Sequence, residues 1–440
     1  MEVLIQIAQF VLSLSILVTL HEFGHYLPAK LFGTRIEKFY LFFDYKFSLI
    51  KKKIGDTEWG IGWIPLGGYV KIAGMVDESM DKEQMAKLAE PWEYRSKPAW
   101  QRLIIIVGGV TVNLILGYLI YVFILFNYGR TYIPAANQQW GVKCDSLMLE
   151  QGFLDGDKIV ALNGEKLVAF NKIDGMLLLE DIKTITVERN GETKDIQLPE
   201  DFGQLMIDRG VKQTFGLQFP SIVDSILPEK PAQKAGLLKG DQIISVAGVP
   251  TPYYVDVVGE LAKNKSKDVA IGVVRNGADS LNLQANVTED GKLGYATKDL
   301  IGKETLHYSL GEAFPEGFKL AGEKLTGYVI SIKYIFSKAG AKQVGGLISL
   351  GSMFSPTWDW ESFWNITAFL SLVLAFMNIL PIPALDGGHA VFIIYELITK
   401  KKPSDKFMER AQTVGMILLL GLMVFALGND IWKFIISKFV

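Results

Sequence analysis

The sequence predicts a polytopic α-helical membrane protein. It has four transmembrane helices, a cytoplasmic or membrane-associated β-hairpin region and two β-rich domains outside the membrane. Three observations carry this reading. Of the 440 residues 49% are hydrophobic and only 21% charged. That is too apolar for a soluble enzyme and too polar for a pure membrane bundle, so two kinds of segment are averaged. Stretches at 3–31, 100–128, 363–398 and 414–440 are long and apolar enough to cross about 30 Å of hydrocarbon. Between the second and third lies a long segment of ordinary soluble composition containing an internal repeat. The net charge of -2 gives no reason to expect nucleic acid as a partner, and the single cysteine, Cys144, excludes an intramolecular disulfide and any CxxC metal site.

The first stretch opens MEVLIQIAQF, without the basic start of a secretory signal and without a small-residue cleavage site before His21. It reads as a retained helix. Residues 39–75 are too short and too interrupted for another span and read as strands, with KKKIGDTE as a polar turn. Such a hairpin lies either at the cytoplasmic surface or dips against the helices, where protein or a water-filled cavity must cover its backbone. The second and fourth stretches are nearly unbroken in apolar character, where a soluble helix would show a polar stripe. The third is broken by NILPIPALDGGH. Lys400, Lys401, Lys402, Lys406 and Arg410 lie between stretches three and four, and Lys51, Lys52, Lys53, Arg95, Lys97 and Arg102 between one and two. Basic residues stay on the cytoplasmic side, so both connections are expected there, with the termini and the repeat segment outside. The chain thus divides into membrane halves at 1–128 and 313–440 and outer domains at 129–220 and 221–312.

The repeat reads GFLDGDKIVALNGEKL from Gly152 and GLLKGDQIISVAGVPT from Gly236. Each copy has a Gly-Asp pair suited to a tight turn, then a hydrophobic strand, then a glycine turn. The pattern resembles PDZ domains. The second copy, with its PAQKAG lead-in, is the closer match.

Chemistry is concentrated in His21-Glu22-Phe23-Gly24-His25. The i,i+4 spacing puts both imidazoles on one helix face within reach of one ion, and Glu22 can contact a water there without being a ligand. Three ionisable groups in an apolar helix are expensive, which favours a functional reading. A hydrolytic zinc takes three protein ligands and keeps one position open. Asp386 is the better third ligand, because Pro381 and Pro383 break the helix before it and Gly387-Gly388 let the chain turn; His389 is the alternative. The competing role for Asp386 is as N-cap of a helix over 387–397.

HEFGH, IPLGGYVK at 64–71, GGVTVN at 108–113, the two repeats and NILPIPALDGGH at 378–389, in this order, resemble the site-2 protease family of intramembrane zinc metalloproteases, in its bacterial form with two PDZ domains. The resemblance covers nearly the whole chain. One departure is Leu347, where the family often has proline. The resemblance implies that His21, His25 and Asp386 ligate zinc and that Glu22 is the general base. Asn378, and with less weight Asn113, would bind substrate backbone or stabilise the oxyanion. It also implies a multi-pass protein of the bacterial inner membrane whose PDZ-like domains face the periplasm and whose site lies toward the cytoplasm. Its substrates would be single-span membrane proteins already trimmed outside, such as anti-sigma factors and remnant signal peptides, with the PDZ-like pair excluding bulky outer domains. A strand edge around Ile64, Gly67, Gly68 and Tyr69 would capture the unwound substrate by β-addition. The rival readings are a catalytically inactive membrane scaffold presenting PDZ-like domains, and a metal transporter.

Overall fold

The computed structural model describes residues 1–75, 88–342 and 344–439, and it separates into two compact units. The first comprises residues 1–129, 307–337 and 341–440. Its helices are α1 (Glu2–Leu31), α2 (Ala99–Asn127), α3 (Leu310–Ile335), α4 (Trp360–Ile379), α5 (Asp386–Thr399) and α6 (Asp405–Phe439). Four are long and apolar enough to cross a membrane: α1, α2, α4 and the 406–433 portion of α6.

The expected third stretch, 363–398, is two helices rather than one. Pro381 and Pro383 cannot donate to a helical ladder, and a residue before proline is pushed toward extended backbone. Leu380 accordingly leaves the helix at ψ 144°, and Ala384 sits at φ +91°, a region sparsely populated by L-residues. At about 1.5 Å per residue the 20 residues of α4 reach about 30 Å, a bilayer core, without α5. The fourth stretch begins earlier than 414, because α6 continues back into the basic segment; Val440 lies outside the described residues. Helix α3 has no counterpart among the expected elements. Its signal was legible: Ser309 and Glu312 form a reciprocal capping box at its start.

Between α1 and α2 the chain forms β1 (Ile36–Phe43), β2 (Ile50–Ile54), β3 (Thr57–Ile61) and β4 (Ile64–Ile72). They make one sheet in the order β2-β3-β1-β4, with β1 parallel to β3 and antiparallel to β4. The expected hairpin is therefore a four-stranded mixed sheet with β4 on one edge. It packs along the second half of α1 instead of beyond its end. Tyr26 of α1 meets the rings of Phe39 and Trp59 at 5.7 and 5.3 Å, and a Cβ on Gly68 of β4 would stand 2.8 Å from Val18. Helices α1 and α2 also touch backbone to backbone: a Cβ on Gly24 would stand 2.5 Å from the Gly108 carbonyl oxygen. Small residues permit such close approach between membrane helices.

The second unit, residues 130–306 with 338–340, holds both repeats. The first builds the sheet from Lys158–Leu162, Glu165–Lys166, Thr184–Arg189 and Glu192–Gln197; the second uses Ser221–Ile226, Gln242–Val246, Asp268–Arg275 and Asp279–Asn286 as its main strands. Each encloses its own apolar core, around Phe153, Ile185 and Phe215 in one and Ile243, Val257 and Ile271 in the other. The aspartate of each Gly-Asp pair does more than turn the chain. Asp157 receives two 2.7 Å hydrogen bonds from Arg189, and Asp241 two at 2.8 Å from Arg275. Both carboxylates also accept a backbone N–H, from Leu154 and Leu238, at 2.9 Å. Bidentate pairs of this kind are strong and geometrically specific, and their recurrence at matching positions makes the two copies structural equivalents.

Candidate active site

Helix α1 places His21 and His25 one turn apart, and α2 provides the surface against which both rings lie. A Cβ on Gly109 of α2 would stand 2.5 Å from His25 Nε2 and 2.7 Å from His21 Cε1, so glycine is what admits the imidazoles. The third group arrives from the other end of the chain. A Cβ on Gly388 would stand 2.5 Å from the Ile382 carbonyl oxygen, and one on Gly387 would overlap the carbonyls of Ile379 and Leu380. The glycine pair thus acts by leaving room for α5 to fold back on the end of α4; neither residue adopts a positive φ.

The competing N-cap role of Asp386 is not what the structure contains. Asp386 is the first residue of α5, Leu385 is the N-cap, and no side-chain cap bond forms. The carboxylate turns instead to the histidines: Oδ2 lies 3.3 Å from His21 Nε2 and 3.4 Å from His25 Nε2, and the two Nε2 atoms are 3.3 Å apart. Three ligand atoms thus form a nearly equilateral triangle. Ligands held tetrahedrally about 2.0–2.1 Å from a zinc ion stand about 3.3 Å apart. The contact with the rings is electrostatic, because the buried Oδ2 makes no geometrically sound hydrogen bond. His25 Nδ1 is 2.8 Å from the carbonyl oxygen of Ile105, an acceptor that keeps the ring proton on Nδ1 and leaves Nε2 as a lone pair. Lone pairs converging on one point repel unless a cation lies between them, so the donor set and its spacing fit zinc. The side chains of His21 and Asp386 are partly exposed, at 13% and 19%.

Glu22 is half-buried beside this triangle, within electrostatic reach of His21, His25 and Asp386 and close to the backbone of Val70. Strand β4 therefore meets the site at Val70, between Tyr69 and Lys71. Asn378, on the last turn of α4, has its amide nitrogen 3.5 Å from His21 Nε2, and Asn113 of α2 has its own 3.3 Å from His21 Nδ1. Among the described residues, His21, His25 and Asp386 form the group that could hold a metal ion. His389 is instead 3.3 Å from the side chain of Gln412 on α6, and His307 lies at the start of the segment leading into α3. Of the expected strand-capture positions, Ile64, Gly67, Gly68 and Tyr69 all fall on β4.

Sequence reasoning missed two supports. Arg102 of α2 is ion-paired at 2.6 Å with Glu396 of α5, both largely buried, which anchors the far end of the helix that begins with Asp386. Gly415 of α6 lies against the Pro383 carbonyl and covers the proline turn. A buried arginine in a connection counted only for its charge was the available signal for the first; the second had none.

The chain matches the profile of peptidase family M50 over residues 9–422. It belongs to peptidase family M50, the site-2 proteases. Among its relatives is the regulator of sigma-E protease RseP of Escherichia coli K12, 28% identical over 96% of this chain and 98% of that one. Proteins named as candidate zinc metalloproteases in Neisseria meningitidis (26% identical; 96% and 98% of the two chains) and Campylobacter jejuni (28%; 97% and 93%) match over similar lengths. As a member of the family the chain is a zinc metalloendopeptidase of the membrane.

Proposed function

We propose that this M50 member hydrolyses peptide bonds within transmembrane segments of single-span proteins, at a site made by His21, His25 and Asp386 with Glu22 as general base. The observation that carries the reading is the triangle of 3.3–3.4 Å between two imidazole nitrogens and one carboxylate oxygen, with Glu22 half-buried beside it. A zinc ion held by these three residues would supply Lewis acidity and bring a water's pKa from 15.7 to near 7. Glu22 takes the proton of the attacking water and returns it to the leaving amine, the two halves of general base and acid work. The amide of Asn378, beside His21, is suited to donate to the developing oxyanion.

A helical substrate hides its carbonyls in i to i-4 bonds and must unwind before attack. Strand β4 lies on the edge of its sheet and passes close to Glu22 at Val70, which supports capture of an unwound segment along Ile64, Gly67, Gly68 and Tyr69 by β-addition. The packing of β4 beside Val18, within α1, supports a sheet that dips into the membrane. We place the enzyme in the bacterial inner membrane, with the two PDZ-like domains in the periplasm acting as a filter against bulky outer domains. Trimmed anti-sigma factors and remnant signal peptides are the expected substrates.

The test is Glu22→Gln, scored for bound zinc and for cleavage of a tagged single-span substrate. Zinc retained with cleavage abolished is the required result; residual cleavage at the wild-type rate would remove Glu22 from the mechanism. An inactive scaffold predicts no difference between the two proteins.

A further inference from the structure

Helix α2 turns three successive positions of one face toward the imidazoles: Ile105, Gly109 and Asn113, four residues apart. Ile105 serves His25 with its carbonyl oxygen, and Gly109 leaves space for both rings. The third position has an unresolved element. The Asn113 side chain is fully buried, one end lies 3.3 Å from His21 Nδ1, and its Oδ1 has no hydrogen-bond partner. The hydroxyl of Ser371 donates to the Asn113 carbonyl at 2.7 Å, so α4 fixes the backbone from which this amide projects.

An asparagine amide can face a ring nitrogen with either end, and the hydrogen-bond network decides which. With nitrogen toward the ring, Asn113 donates to Nδ1. The His21 proton then sits on Nε2, closing the nitrogen that points at Asp386 and His25, while a buried oxygen stays unpaired. With oxygen toward the ring, Nδ1–H donates to Oδ1, the buried acceptor is satisfied and Nε2 keeps its lone pair. We infer that Asn113 is a positioning residue that accepts a hydrogen bond from His21 Nδ1 and so selects the imidazole tautomer able to bind metal. This rests on the metal reading of His21, His25 and Asp386, and it gives Asn113 a role distinct from the substrate or oxyanion contact expected from the sequence. Both histidines would then be oriented from a single helix, one by a backbone carbonyl and the other by a side chain.

Zinc affinity of the full-length protein in detergent, measured by competition with a chromophoric chelator, tests this. Asn113→Leu keeps the size and removes the acceptor; zinc affinity should fall 10–100-fold, the usual loss when a group orienting a metal ligand is removed. Asn113→Asp keeps an acceptor and should stay within about threefold of wild type. Unchanged affinity in Asn113→Leu, or an equal loss in both variants, would overturn the inference, since neither outcome needs an acceptor. Nitrogen-15 spectra of the histidines in zinc-loaded wild type give a readout independent of any variant's folding: His21 protonated on Nδ1 is expected, and a proton on Nε2 overturns the assignment. His21→Ala separates the two levels of argument. If it binds zinc as tightly as wild type, the metal site itself fails, whatever Asn113 does.

Discussion

Gly109→Ala gives a sharp test, because one methyl group carries the whole perturbation. The added Cβ would stand 2.5 Å from His25 Nε2, 2.7 Å from His21 Cε1 and 2.8 Å from His25 Cε1. Non-bonded atoms rest at about 3.5 Å, so the rings or the helix must yield by about 1 Å. Neither ring has free room: His25 is tied through Nδ1 to Ile105, and both Nε2 atoms are edges of the 3.3–3.4 Å triangle. A misplacement of about 1 Å at a reacting centre costs on the order of 100-fold in rate. Alanine is otherwise the better helix former by about 0.5–1 kcal/mol, so helix stability pushes the other way. Gly421→Ala on α6, where a Cβ meets nothing within 4 Å, is the matched control. Zinc content and cleavage of a tagged single-span substrate should drop in Gly109→Ala and hold in Gly421→Ala. Wild-type zinc binding and cleavage in Gly109→Ala would show that the imidazoles do not rest on α2.

Three further outcomes are expected. Proline substitutions along 64–72 should cut cleavage and leave zinc content unchanged, since proline removes a strand donor without touching a ligand; normal cleavage would sink strand capture. Deleting 129–312 should broaden the range of substrates cut, as read on a panel with outer domains of increasing size; loss of all cleavage would point to docking instead. Arg275→Met should destabilise the second repeat, because it removes the bidentate partner of Asp241, read by hydrogen exchange at Gln242–Val246. Hydrogen bonds from Arg275 hold the Asp241 carboxyl below its ordinary value. The stabilisation is therefore complete above the ordinary carboxylate range near pH 4 and is lost as pH falls through the depressed folded value. The variant should lack that acid-side loss.

The sequence was most legible where chemistry and periodicity coincide. HEFGH announced its helix and the pairing of its two imidazoles on one face, and uninterrupted apolar runs marked the spans. Asp386 was found through the prolines before it, although the glycine pair works by leaving space and not by freeing a dihedral. The mixed sheet was read only as a hairpin, because a parallel pairing such as β1 with β3 joins strands that local turn signals do not connect. Helix α3 was overlooked despite its Ser309–Glu312 box, since its amphipathic run has neither the length of unbroken apolar residues nor the soluble pattern of the segment before it. The Arg102–Glu396 pair joins residues 294 positions apart, and no local rule links them.

Helix α2 meets the candidate centre at several points: Ile105 and Asn113 meet the two rings, Gly109 makes room for them, and Arg102 grips the far end of α5. Chain order then imposes a sequence of assembly. Once α1 and α2 have met, the paired imidazoles are in place, while Asp386, from the last part of the chain, is still to be made. The growing polypeptide thus lacks the third member of the cluster until its last third folds back against a scaffold laid down at the beginning.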